Sequence, residues 1–271
     1  MKSVVRWSTT VGLVGGILLG SLFAGTAQVQ ALTDEQVMER LRPVPVFALA
    51  GADGQPLVAS PAEGQQGPSI ANVFISQQDA QTFLSNLREQ NPEVAGGVQV
   101  VPVSLAEVYQ LANANNRQDG LAFAFIPMQQ QVEAARTVLQ QDGANPTEFE
   151  GVPIFTAQSS TEEGVYLTIT RGEEQVIPIF LEREGLQAML DRLSQVEPEL
   201  ASSLVVEVDN LEGLIEELKT SDNEALNQIL LVPPRESIEF IQSLQQRQGQ
   251  RPGQQPAPAR PNQQRRQQPA Q

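Results

Sequence analysis

IFLEREGLQAMLDRL, residues 179–193, sets the pattern on which this chain is built. It is a short apolar strand that runs directly into an amphipathic helix. VFISQQDAQTFLSNL, residues 73–87, repeats it 106 residues earlier. Ala80, Phe83, Leu84 and Leu87 fall at i, i+3, i+4 and i+7, and so do Leu186, Met189, Leu190 and Leu193. Each set is one apolar stripe on a helix of period 3.6. Such a stripe holds its helix to a sheet, which leaves the opposite sheet face, or a seam between units, for any partner.

Working outward, the same offset holds over most of the chain. Leu105, Val108, Tyr109 and Ala112 are matched by Leu211, Leu214, Ile215 and Leu218. Phe125-Ile126-Pro127 is matched by Leu231-Val232-Pro233, and Pro92-Glu93 by Pro198-Glu199. Val44-Pro45-Val46-Phe47 reappears as Val152-Pro153-Ile154-Phe155. Helical period alone recurs in many α/β chains, but shared prolines do not, so the pattern reads as an internal duplication. Each unit reads β-β-β-α-β-α-β-α. The expected fold is α/β, with two pseudo-symmetric lobes, each a mixed β-sheet with packed helices.

Local signals set the element ends. Thr33 and Gln36 form a capping box ahead of a short helix whose apolar face is Val37, Met38 and Leu41. Ser104 and Glu107 form a second box, and Ser76 is an N-cap with Asp79 behind it. Residues 52–55, ADGQ, and residues 171–174, RGEE, are turns after which the chain returns. Pro45 has no N–H donor, so its strand begins at an edge or at its first pairing position. Residues 165–170 alternate as one hairpin strand.

The ends differ from the body. Lys2 and Arg6 precede an apolar run at 11–23, and small residues follow up to Ala27 and Ala31. That is an export signal, too short to span a membrane comfortably, with cleavage after Ala27 or Ala31. From Gln245 onward Gln, Pro and Arg dominate, which reads as a disordered basic tail able to touch a membrane surface or an acidic partner. The expected divisions are 1–31 signal peptide, 32–148 N-terminal helix and first lobe, 149–244 second lobe and 245–271 tail. The span 32–244 holds all 32 acidic residues and ten of the 17 basic ones, a net of −22. Such a body repels nucleic acid and anionic headgroups.

Chemistry is sparse. With no cysteine and no histidine, disulfides, thiol catalysis, Cys/His zinc sites and Ser-His-Asp triads are excluded. No GxGxxG or GxxxxGK[ST] occurs, so no phosphate cradle is signalled, and no cofactor is expected. Asp53-Gly54 lacks the flanking acids of a calcium loop. The acidic pairs Glu173/Glu174, Glu182/Glu184, Glu197/Glu199 and Glu216/Glu217 could in principle run an acid/base hydrolysis. They fall at turns, helix starts and exposed faces, and at 5% aromatic content a sugar platform is not favoured. Apolar surface remains. Phe47 and Phe155 stand at equivalent places, as do Phe123 with Ile229 and Phe125 with Leu231, and these six are the candidate contacts for an apolar segment.

The runs VPVFALAGADGQPL (44–57), VFISQQDAQTFL (73–84), VVPVSLAEVYQL (100–111), FIPMQQQVEAA (125–135), GVPIFTA (151–157) and IPIFLEREGLQAML (177–190), in this order and behind an export signal, resemble the Tic22-like family. The resemblance covers about 33–244. It implies a two-lobed α/β fold and a non-enzymatic, chaperone-like role in protein transport. The implied partners are unfolded outer-membrane proteins or preproteins and an Omp85-type barrel, with a structural adaptor on that barrel as the alternative role. It implies a periplasmic location, with thylakoid association in some relatives, and apolar pockets that no short motif assigns to particular residues.

Overall fold

The computed structural model describes residues 31–61, 67–114, 121–162 and 164–249. The residues read as an export signal, apart from Ala31, and those beyond Gly249 lie outside the described residues.

Helix α1 (Asp34–Leu41) opens the fold. Its capping box is complete: the Gln36 N–H donates to Thr33 Oγ1 and the Thr33 N–H donates to Gln36 Oε1 at 2.9 Å. The first half then runs β1 (Pro45–Ala50), β2 (Val58–Ala59), β3 (Ser69–Phe74), α2 (Gln77–Gln90), β4 (Gln99–Ser104), α3 (Leu105–Ala114), β5 (Leu121–Ile126) and α4 (Gln129–Gln141). After a 3-10 turn (Pro146–Glu148) the second half repeats that order. It has β6 (Pro153–Ser159), β7 (Ile169–Arg171), β8 (Glu174–Phe180), α5 (Arg183–Val196), a short α6 (Pro198–Ser202), β9 (Leu204–Asn210), α7 (Leu211–Thr220), β10 (Ile229–Val232) and α8 (Arg235–Gly249). Helices α2 and α5, and likewise α3 and α7, begin and end 106 residues apart.

The sheets share one strand order. In the first, β4 and β3 flank β1 antiparallel, and β5 pairs β3 in parallel. In the second, β9 and β8 flank β6 antiparallel, and β10 pairs β8 in parallel. Register repeats as well: Phe47 lies opposite Phe74 where Phe155 lies opposite Phe180, and Phe74 opposite Ile126 where Phe180 lies opposite Val232. Pro45 and Pro153 each open an inner strand at its first pair, with Ser104 and Asn210, so the missing N–H interrupts no ladder. The turns expected at 52–55 and 171–174 form around Gly54 and Gly172 at φ +80° and +67°, which glycine adopts without steric cost. Residues 165–171 depart from the single strand read from their alternation. Tyr166 bridges Gln158 of β6, and only β7 pairs with β8, so the segment passes from one strand to the next. Pro178 sits in that changeover, between the β8 residues paired to β7 and the one paired to β6.

Each sheet has an inner and an outer face. Val46, Val73 and Ile75 from the first and Ile154, Ile177 and Ile179 from the second belong to one shared core, closed by α1, α3 and α7. That core joins the halves. Burying Val37 and Leu41 of α1 in it stabilises by roughly 1.5–3 kcal/mol per side chain. The outer faces have separate cores. Phe47, Leu49 and Phe74 pack with Ala80 and Leu84 of α2, while Phe155, Ala157 and Phe180 pack with Leu186 of α5. The last helix of each half crosses over. Ala134 and Ala135 of α4 complete the second outer core, and Phe240 of α8 packs into the first.

Helix α8 extends to Gly249, past the composition break at Gln245. That break marks the loss of apolar residues, but Gln and Arg propagate a helix well once it has begun.

Candidate functional site: an apolar inner-face cavity and its acidic counterpart

The six residues singled out from the sequence divide between the two faces. Phe47 and Phe155 are fully buried on opposite outer faces, and Ile229 and Leu231 are buried in the shared core. In this conformation those four present no surface to a partner. Phe123 and Phe125 are half-buried on the inner face of the first sheet, and Phe123 lines a cavity.

That cavity has a volume of about 390 Å³. Alternation along the strands builds it. Ala48 and Ala50 of β1, Val73 of β3, Val101 and Val103 of β4 and Phe123 of β5 all point to the inner face, and Val108 and Leu111 of α3 close the side. The small Ala48 and Ala50 side chains leave the space open. Leu111 is 47% exposed, so the apolar lining reaches the surface. Glu107 also lines the cavity, but its carboxylate accepts from the Ser104 N–H at 2.8 Å, as the second capping box requires, and Ser104 Oγ accepts from the Ala106 N–H. A pocket walled mainly by Ala, Val, Leu and Phe favours an apolar group.

The second half has no matching lining. Sheet register sets Ala48 opposite Val101 and Thr156 opposite Glu207, and it sets Val46 opposite Val103 and Ile154 opposite Asp209. Glu217 takes the place on α7 that Leu111 holds on α3. Three apolar inner-face positions therefore become three carboxylates. Burial pushes Asp209 up to about 6. Burial first, and then the charge of Asp209, push Glu217 up to about 7. Glu217 stood among the acidic pairs of the sequence, but Asp209 did not. The repeat offset alone could have found it, because it sets Asp209 against Val103. Of the other acidic carboxylates, burial raises Glu182 as well, Glu184 accepts from Gln131 Nε2 at 2.7 Å, and Glu216 pairs with Lys219 at 3.0 Å on the surface. Among the described residues no three carboxylates are grouped to hold a metal ion, and no helix is long and apolar enough to cross a membrane.

A second patch of apolar surface lies on the outer face of the first half. Ile70, Phe83 and Val94 are 42%, 39% and 53% exposed and border a cleft of about 180 Å³ with Leu49, Leu57 and Leu87. The apolar stripe of α2 is therefore core only in part. Ala80 and Leu84 are buried, while Phe83 leans on Phe74 with ring centroids 5.4 Å apart and keeps one side in solvent.

Comparison with known proteins agrees with this architecture. A solved Tic22 from Anabaena, described as a protein of protein transport, matches with a TM-score of 0.69 at 30% identity, over 78% of this chain and 97% of that one. Tic22 from Plasmodium falciparum shares the fold, with a TM-score of 0.59 at 19% identity, over 77% of this chain and 97% of that one. Protein TIC 22, chloroplastic, of Pisum sativum is 26% identical over 230 residues, 84% of each chain. The model of the Tic22-like family matches residues 19–246, and the chain belongs to that family.

Proposed function

We propose that this protein is an exported, non-enzymatic transport factor that holds apolar segments of unfolded proteins in transit. The inner-face cavity of the first half carries this reading. It is open at Leu111 and walled mainly by apolar side chains, and its carboxylate, Glu107, is engaged as a helix cap. The clients proposed are outer-membrane proteins or preproteins, and the compartment proposed is the periplasm, with an Omp85-type barrel as the downstream partner. The net charge of −22 over 32–244 suits such a role, because it discourages adhesion to anionic membranes while short apolar segments still bind. A structural adaptor on the barrel is the alternative. It would need the surface of the protein but not the cavity.

The test is suppression of client aggregation by residues 32–271 and by Leu111→Glu. The parent should suppress aggregation of an unfolded β-barrel protein at a few-fold excess. Leu111→Glu should lose most of that suppression while keeping its fold, because an exposed rim position tolerates a charge. Equal suppression by the two proteins would remove the cavity from the account, and no suppression by the parent would favour the adaptor.

A further inference from the structure

Each half lends its last helix to the other sheet, but the two loans differ in firmness. Helix α4 buries Gln131, Val132, Ala135 and Val138. The Gln131 amide accepts from the Arg183 N–H at 2.9 Å and donates to Glu184 at 2.7 Å, locking α4 to the start of α5. Among the described side chains of α8, only Ser237 is buried, and Ile238 is 37% exposed. Its contacts include a T-shaped pairing of Phe240 with Phe47 at 5.5 Å, the Glu236 carboxylate accepting from the Gln77 N–H at 3.0 Å, Ser237 Oγ donating to the Ile75 carbonyl at 3.4 Å, and the Arg235 N–H donating to the Glu182 carboxylate. Glu236 also sits near Asp79. Burial, and then the Glu236 charge, raise Asp79 above its ordinary value, so this anchor carries a like-charge conflict.

The seat of α8 is larger than α8. A cleft of about 410 Å³ runs along the helix, between Ile238, Ile241 and Gln242 on one side and Pro45, Pro102 and Val103 on the other. Val103 and Glu107 line this cleft and also the inner-face cavity, so the two are neighbours. Helix α4 is continued by β6 of the second sheet, whereas the 22 residues that follow Gly249 in this chain hold no large apolar side chain.

We infer that the outer face of the first sheet, over Phe47, is a helix-receiving groove that α8 fills in cis and yields to an amphipathic helix of a client. Its occupant should carry a small, an aromatic and two aliphatic residues at i, i+3, i+4 and i+7, the pattern that Ser237, Phe240, Ile241 and Leu244 show. The inference rests on the client-holding reading and adds the kind of segment held and the element it displaces.

The probe is a fluorescein-labelled peptide of residues 235–249, added to the chain 32–271 and followed by anisotropy. A bound cis helix lowers the apparent affinity of its competitor, so weakening the seat with Phe240→Ala should tighten peptide binding about tenfold. Because the chain has no cysteine, Arg42→Cys with Gln242→Cys, two positions that line the cleft, can be bridged by a bismaleimide of matching length. The bridged protein should lose peptide binding, and a scrambled peptide should bind none of them. Circular dichroism checks the fold, and Phe240→Leu replaces Phe240→Ala if the latter unfolds, with the same expected direction. Binding that is unchanged by both the substitution and the bridge overturns the inference. So does a peptide that binds no variant, or light scattering that shows α8 exchanged between two copies. Leu111→Glu should still bind the peptide. If it also still suppresses client aggregation, the cavity reading fails while the groove stands.

Discussion

Where the first half carries Val101, Val103 and Leu111, the second carries Glu207, Asp209 and Glu217. The backbone around them is the same in strand order, register and helix length. The fold therefore does not dictate what the inner face does, because side chains on a shared frame decide it. The halves also differ in how they are covered. Helix α4 is keyed into the second outer face with four buried residues, and α8 rests on the first with one among its described side chains. Both differences point the same way: the first half has open apolar space and a loosely held cover, and the second has carboxylates at the matching positions and a firmly keyed cover.

The largest expected effect breaks the outer faces. Phe47 and Phe155 are both fully buried, and truncating a buried Phe to Ala costs about 3–5 kcal/mol. Phe155→Ala should reach the upper part of that range because α4 cannot settle into the void. Phe47→Ala should cost less, since α8 already sits beside open space and can shift. Urea unfolding of the two variants measures the gap, and equal losses would mean that α8 is held as firmly as α4.

The acidic side sharpens the contrast through pH. A carboxyl whose folded pKa is raised binds its proton more tightly in the folded state. The folded state is then favoured below the ordinary carboxyl range and loses that advantage as pH rises through the raised value. For Asp209 the loss falls between about 4 and about 6, and for Glu217 it extends to about 7. Thermal unfolding should therefore give a higher Tm at pH 5 than at pH 8. Asp209→Asn should recover on the order of 2 kcal/mol at pH 8 and little at pH 4. A Tm that rises steadily from pH 5 to pH 8 would contradict the burial of these groups.

Smaller effects lie at the joint between the halves. Thr33→Ala removes the cap of α1, which packs between α3 and α7, and should cost about 1 kcal/mol. Leu111→Glu should change stability by no more than about 0.5 kcal/mol in the same unfolding assay, because the side chain is nearly half exposed. Its effect belongs to binding.

Much of the frame is legible in the sequence because period and punctuation are local. The stripe at Ala80, Leu84 and Leu186, the boxes at Thr33 and Ser104 and the turns at Gly54 and Gly172 each follow from a few neighbouring residues. The crossing of α4 and α8 is not legible, because the same apolar stripe would pack equally well on either sheet. For the same reason Phe47 and Phe155 look like candidate contacts in the sequence but are covered by helices lent from the other half. The cavity depends on Ala48 and Ala50 being small where five elements converge, which no single window displays. The carboxylates opposite it are visible only when the two halves are set side by side.

The contrast between the halves is tested most directly by a photo-reactive phenylalanine analogue placed at Leu111 or at Glu217 in the chain 32–271, irradiated with an unfolded β-barrel client. Strong adducts are expected from position 111 and few from position 217. Equal labelling from the two positions, or labelling from 217 alone, would contradict that contrast.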